Sequence, residues 1–233
     1  MKTILLAGAA AAGLTFGIAG VQAATITAVI VNDPTLANVP FTLENLGSGG
    51  APGAVDLNNS FITSTGAIVS YTGLSGIYSG DVSGITRSPI RDAGGNATDV
   101  HYLNARANSG SIQIDMPINA TAFNMLWGSV DGAPPADWNL LTFTFMGAGN
   151  IVYTITGDDI IAAAGGAPPV LPGTSNIAVT ITDLPFFDMI LVTATQNAFE
   201  FLPGVPVPEP ASMALLGAGL LGLGFAARRR KPA

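Results

Sequence analysis

Between residues 24 and 203 an alternation of apolar and polar residues with a period of two recurs in run after run, and that alternation makes the body predominantly β-structure. In "SIQIDM" Ile112, Ile114 and Met116 fall on one face, Gln113 and Asp115 on the other. "NLLTFTF" alternates Phe143 and Phe145 with Thr142 and Thr144. "NIVYTIT" sets Ile151, Tyr153 and Ile155 against Val152, Thr154 and Thr156, and "NIAVTIT" repeats the pattern with Ile177, Val179 and Ile181. Further strands are predicted at 25–31, 66–71, 121–127 and 188–194. These runs are rich in Thr, Ile, Val and Phe, and Gly/Pro/Asn/Asp clusters separate them. One short helix is predicted at "GDDIIAAAGG" (157–166), where Asp158 and Asp159 suit a first turn and Gly165 a stop. Many strands and almost no helix predict an all-β domain, a two-sheet antiparallel sandwich or jelly roll, because a lone sheet leaves one apolar face in water. Between Gly73 and Gly110 glycine and serine are dense and the periodicity fades, which predicts long loops with one or two short strands.

A body of this length forms one domain and buries enough core to need no cross-links. It has none, since the chain contains no cysteine. Between Ala24 and Pro208 fourteen acidic residues face only Arg87, Arg91 and Arg106, a net charge of −11. Such a surface repels nucleic acid, which is bound through clustered Lys and Arg, so nucleic-acid binding is excluded.

Both ends differ from the body. Lys2 followed by the apolar stretch Ile4 to Gly20 and the small residues of "VQA" make residues 1–23 a signal peptide. It is predicted to form a signal helix, to enter the secretion translocon and to be cut between Ala23 and Ala24. The β-domain is assigned to 24–203 and a Pro-rich linker to 204–210, where Pro206, Pro208 and Pro210 hold the chain extended. Residues 211–227 carry no charge. As a helix they reach about 25 Å at ~1.5 Å per residue, at the short end of what spans a hydrocarbon core of roughly 30 Å. Five leucines and Phe225 favour insertion and four glycines oppose it, which predicts a single marginal transmembrane helix suited to transient residence in the inner membrane. Arg228, Arg229, Arg230 and Lys231 in the tail 228–233 form a cytoplasmic stop, leaving the body outside.

Pro208-Glu209-Pro210, the short apolar segment, the terminal basic cluster and the N-terminal signal together resemble the PEP-CTERM sorting signal of bacteria that make exopolysaccharide. The resemblance implies recognition by a membrane exosortase, cleavage near the triplet, and delivery to the cell surface or extracellular matrix. A second resemblance lies in the body. Trp127, Gly128, Ser129, Asp131 and Asn139, then Thr156, Gly157, Asp159 and Ile160, then Ala198, Phe199 and Glu200 are similar to the order found in one group of exosortase-dependent surface proteins. Two departures stand out: "GAPPADW" lengthens the Asp-to-Asn segment, and "FLPGVP" follows Ala-Phe-Glu where the group carries an Asp-Asn piece. The resemblance implies an address rather than a chemistry.

Catalytic patterns are sparse. His101 is the single histidine, no H-E-x-x-H spacing occurs, and a cysteine nucleophile is impossible. Asp158/Asp159, Asp131/Asp137 and Asp183/Asp188 are local carboxylate pairs of the kind a glycoside hydrolase needs, yet each sits where Asp serves turns. No cofactor is expected, although "DLNNS" (56–60) and "DGAPPAD" (131–137) offer loop oxygens suited to calcium. Trp138, directly after that second loop, is with Asp131 and Asp137 the candidate ligand contact, whereas Trp127 ends an apolar run and reads as core. The expected function is a non-enzymatic exported surface or matrix protein acting within exopolysaccharide or biofilm. The alternative is a carbohydrate-binding module for the cell's own polysaccharide, and a secreted glycoside hydrolase ranks third.

Overall fold

The computed structural model describes residues 24–31, 39–92, 94–107, 109–128, 139–144, 150–165, 176–195 and 199–205. Among them the strands are β1 (Thr25–Val31), β2 (Gly53–Asp56), β3 (Phe61–Ile62), β4 (Ile68–Tyr71), β5 (Gly76–Ser79), β6 (His101–Ala105) and β7 (Ile112–Ala120). Then follow β8 (Phe123–Gly128), β9 (Asn139–Thr144), β10 (Ile151–Thr156), helix α1 (Gly157–Ala163), β11 (Asn176–Thr182), β12 (Phe187–Ala194) and β13 (Phe199–Pro203). They form two antiparallel sheets, one ordered β1-β11-β8-β13-β6-β5-β2 and the other β10-β9-β12-β7-β4-β3. The predicted signal helix and the predicted transmembrane helix at 211–227 lie outside the described residues. Among the described residues no helix is long and apolar enough to cross a membrane.

Alternation builds the core. Val69, Ile112, Ile114, Ile190 and Val192 from the six-stranded sheet meet Leu103, Met125, Trp127, Val179 and Phe201 from the seven-stranded one. This is how two sheets each bury one face. Where the ladder slips, the pattern breaks. Ile151 alternates with Tyr153 and Ile155 in the sequence, but a bulge between Ile151 and Tyr153 in the pairing with β9 turns Ile151 outward, leaving it 64% exposed.

Helix α1 starts where the sequence places it. Thr156 caps it, Thr156 Oγ1 accepting from the Asp159 N–H at 3.4 Å while the Asp159 carboxylate accepts from the Thr156 N–H at 2.9 Å. This reciprocal capping satisfies two donors that a helix start otherwise leaves bare. Ile160 is fully buried, and the helix packs between the edge strands β10 and β1, closing one side of the sandwich.

The outer faces differ. Two long segments, 39–50 and 80–100, lie over the seven-stranded sheet and bury Tyr78, Tyr102, Leu126, Ala178 and Leu202 in a second apolar cluster with Phe41, Leu43 and Ile85. His101 pins the first segment, its Nδ1 3.1 Å from the Leu46 carbonyl and its Nε2 2.9 Å from that of Gly49. The strand pairing also sorts the two ends of the sandwich. Thr25 pairs with Thr182, and Pro203 with Met125, so both ends of the described chain leave from one end, called the near end. Gly128, Ala105, Glu200, Ala194 and Thr156 mark the opposite, far end.

Candidate functional site

At the far end the sequence places polar residues where the sheet would be expected to carry apolar ones. Gly128 pairs with Glu200, Glu200 with Asn104, and Asn104 with Gly76, giving one row across four strands on the covered face. Glu200 is 1% exposed and its Oε1 accepts from the Arg87 N–H at 3.1 Å. Gly128 has a steric reason to be glycine, since a Cβ there would stand 2.7 Å from the Pro89 Cβ. The Asn176 amide donates to the Pro89 carbonyl at 2.7 Å, so the covering loop is seated from both sides. One row further in, the Tyr102 hydroxyl donates to the Gly80 carbonyl at 2.6 Å and accepts from Thr86 Oγ1 at 3.0 Å. Burial, reinforced by the Glu200 and Asp81 charges, drives the Tyr102 phenol well above its ordinary value and keeps it neutral.

The loop that seats itself on this row has its own electrostatic lock. Arg91 holds Asp81 with both ends of its guanidinium, at 3.1 and 2.8 Å, while the Ser88 N–H donates to the same carboxylate at 2.9 Å. Burial alone would raise the Asp81 carboxyl, but these donors and the Arg91 charge outweigh it and hold the group below the usual range. Asn104, fully buried, has no protein partner for either side-chain polar atom, and Arg106 Nε is likewise without one. The row therefore contains a buried carboxylate and a buried amide, with the Arg106 guanidinium following just past the end of β6. It lacks a nucleophile paired with a base, and Glu200 serves as acceptor for the covering loop. Its chemistry is that of a clamp.

The residues singled out from the sequence are distributed unevenly. Trp127 is fully buried in the core, and Gly128 lies directly opposite Glu200, so the Trp-Gly and Phe-Glu pieces of the body pattern are strand neighbours. Thr156 and Asp159 serve the helix cap, Gly157 is buried in the first turn and Ile160 anchors it; Asn139 opens β9. All of these stand at the far end. Ser129, Asp131, Asp137, Trp138 and Ala198 lie outside the described residues, as do Ala23, Pro208, Glu209, Pro210 and Arg228 to Lys231. Ala24, on the other side of the expected cut, directly precedes β1.

In "DLNNS" the Asp56 carboxylate accepts from the N–H groups of Asn58 and Asn59 and from the Asn59 side chain. The Asn58 N–H, then the Asn59 amide, hold it below the usual carboxylate range. That carboxylate stabilises its own turn. Asp183 occupies a turn at φ 59° and accepts from Thr182 Oγ1 at 3.0 Å. Among the described residues no group of three or more His, Asp or Glu is placed to hold a metal ion.

One open pocket of about 320 Å³ lies at the near end, lined by Thr42, Leu43, Glu44, Phe61, Ser64 and Val205 among others. Glu44 is 6% exposed, and Ser64 donates to it through its hydroxyl at 2.8 Å and its N–H at 3.2 Å. Sequence reasoning missed this carboxylate because its partner is 20 residues away. The chain leaving β13 forms the pocket wall. Glu44 N–H bonds the Pro203 carbonyl at 2.9 Å and Val205 N–H the Thr42 carbonyl at 2.8 Å, so ordered pairing runs two residues past the expected boundary at 203.

Immediately beyond, residues 206–231 match the PEP-CTERM protein-sorting motif. The motif implies export and surface localisation through an exosortase. No curated protein matches the chain. Two solved structures of the exo-beta-1,3-galactanase from Phanerochaete chrysosporium with beta-1,3-galactotriose are similar at 15% identity. Their TM-scores are 0.28 and 0.27, and each match covers 64% of this chain. The match spans only 30% and 29% of the length of those chains, a likeness too slight to bear on activity.

Proposed function

We propose that this chain is a non-enzymatic surface protein of the exopolysaccharide or biofilm matrix, cut near Pro208-Glu209-Pro210 by an exosortase after export and passing only transiently through the inner membrane. The observation that carries the reading is the sorting motif at 206–231, which starts directly after Val205, a residue tied to the body by its bond to the Thr42 carbonyl. The folded domain and the tag thus adjoin in the chain, and the far end lies opposite the end at which β13 finishes. A rigid sandwich whose buried polar groups clamp a covering loop suits a structural or interaction role.

Intact mass of the protein recovered from cell surface or medium tests this reading. A C-terminus near 208–210 supports a processed sorting signal; a C-terminus at Ala233 makes the tail a plain anchor and removes the matrix reading. Glu209→Ala, or loss of Arg228 to Lys231, is expected to leave the domain folded while blocking release from the membrane.

The near-end pocket favours a second reading, a carbohydrate-binding module for the cell's own polysaccharide. Phe61 offers an apolar ring edge or face, and Thr42, Ser64 and the Glu44 carboxylate offer hydrogen-bonding groups, in a volume of about 320 Å³. Affinity electrophoresis in the host polysaccharide distinguishes the two, since retardation abolished by Phe61→Ala supports binding and unchanged mobility in every fraction removes it.

A further inference from the structure

We propose that the near end of the sandwich rests on the bilayer, with the lip of the six-stranded sheet set into the lipid interface while the precursor is held by its tail. The inference depends on residues 211–227 being a membrane anchor.

The strand pairing supplies the lip. Ile62 pairs with Ile68, Ile68 with Asp115, Asp115 with Met189, Met189 with Thr144, and Thr144 with Ile151, one continuous row across all six strands on the outer face. Ile62 is 70% exposed, Ile68 46% and Ile151 64%. Beyond that row, toward the near end, stand Ile118 at 75% and Phe186 at 60%. Single exposed apolar residues are ordinary on any surface. Here five of the eight large exposed hydrophobics among the described residues gather at the near end, where β1 begins and β13 finishes. Concentrated exposure of this kind marks an interaction surface.

The tether identifies the occupant. Val205 is fixed by its bond to Thr42, and only residues 206–210 separate it from the apolar segment at 211. Six extended steps at ~3.3–3.6 Å reach about 20 Å, so an anchored tail keeps the near end within roughly that distance of the membrane. Charge defines the mode of contact. The body has no lysine, and Asp183 and Asp188 flank Phe186, so the lip enters through Ile and Phe side chains rather than through pairing with anionic headgroups. Asp115, the acid in the row, is engaged by Gln113 Nε2 at 2.8 and 3.1 Å. A marginal spanning segment gains most from a second contact of this type.

The absence of cysteine makes the test direct. Ile118→Cys, Phe186→Cys, Leu74→Cys and Leu216→Cys are made singly in the full chain, labelled with nitrobenzoxadiazole and reconstituted in phosphatidylcholine vesicles. Nitroxide lipids are expected to quench labels at 118, 186 and 216 at least threefold more than at 74, an exposed apolar site of the far end. Replacing part of the lipid by phosphatidylglycerol is expected to weaken quenching at 118 and 186 while leaving 216 unchanged. Labels at 118 and 186 as open to aqueous iodide as the one at 74, with 216 still in lipid, would overturn the docking alone. A label at 216 reached by iodide would overturn the anchor and the docking together. Shielding of 118 and 186 from both quenchers would show a protein covering the lip, and would equally overturn the lipid contact.

Discussion

Tyr102, Leu126 and Ala178 face outward from the seven-stranded sheet and are as buried as the core, whereas Ser70, Gln113 and Leu191 face outward from the six-stranded sheet and are only partly buried. The sheets share one interior but have different exteriors because two long loops lie over the first and none of the described segments lies over the second. The difference is visible in the strands. "FNMLWG" and "NIAVTIT" put Leu126 and Ala178 where a solvated face would carry polar side chains, while "IQIDM" alternates cleanly. A strand apolar on both faces needs a second cover, and the loops supply it.

The largest effect comes from making the same deletion on each face. Leu126→Ala empties a fully buried site under the loops and is expected to cost about 2–5 kcal/mol. Leu191→Ala on the open face is expected to cost about 1 kcal/mol or less. Urea unfolding of both variants measures the contrast, and equal losses would break it by showing that the loops add no burial of consequence.

Gly128→Ala sharpens the contrast further. The added methyl would lie 2.7 Å from the Pro89 Cβ, and proline has no flexible end to yield. The loop must lift, at a cost of about 1–3 kcal/mol. Ser70→Ala on the open face meets no cover and is expected to be nearly neutral. Hydrogen exchange at Thr98, whose N–H bonds the Ile90 carbonyl, should speed up in the Gly128 variant. Unchanged exchange there would mean that the loop is held from elsewhere.

These contrasts also show what a linear reading can reach. "TITAVIV" and "NIAVTIT" are strands over the predicted residues, and "GDDIIAAAGG" forms its helix, because alternation and capping are local signals. The strand Phe199–Pro203 has the same alternation but is five residues long and closes on proline, and the two-residue strand Phe61–Ile62 has too little pattern to read. The outward turn of Ile151 came from a one-residue slip that no periodicity announces. The clamp was less legible still. Arg87 and Glu200 are 113 residues apart, and only the fold brings the loop's N–H to the carboxylate. Among the sorting residues the opposite holds, since the tag is a local motif and was readable without any structure.

The smallest expected effect tests the polar lock on the loop. The Asp81 carboxyl lies below its ordinary value of 3.8 because the Arg91 and Ser88 donors outweigh burial. A lowered folded value means that Asp81 binds its proton less readily in the folded protein. Its stabilisation is therefore complete above about pH 4 and is lost as the pH falls through the folded value. The Asp81 side chain is 41% exposed, so solvent screening limits the pair to about 1 kcal/mol or less. Urea midpoints measured from pH 6 downward are expected to fall less steeply below pH 4 in Arg91→Ala than in the parent, with the two curves converging in 1 M salt. Parallel curves would assign the loop's hold to its apolar contacts through Ile85 and Ile90. The covered face would then owe its cover to burial alone, and the difference between the two faces would be one of apolar area rather than of charge.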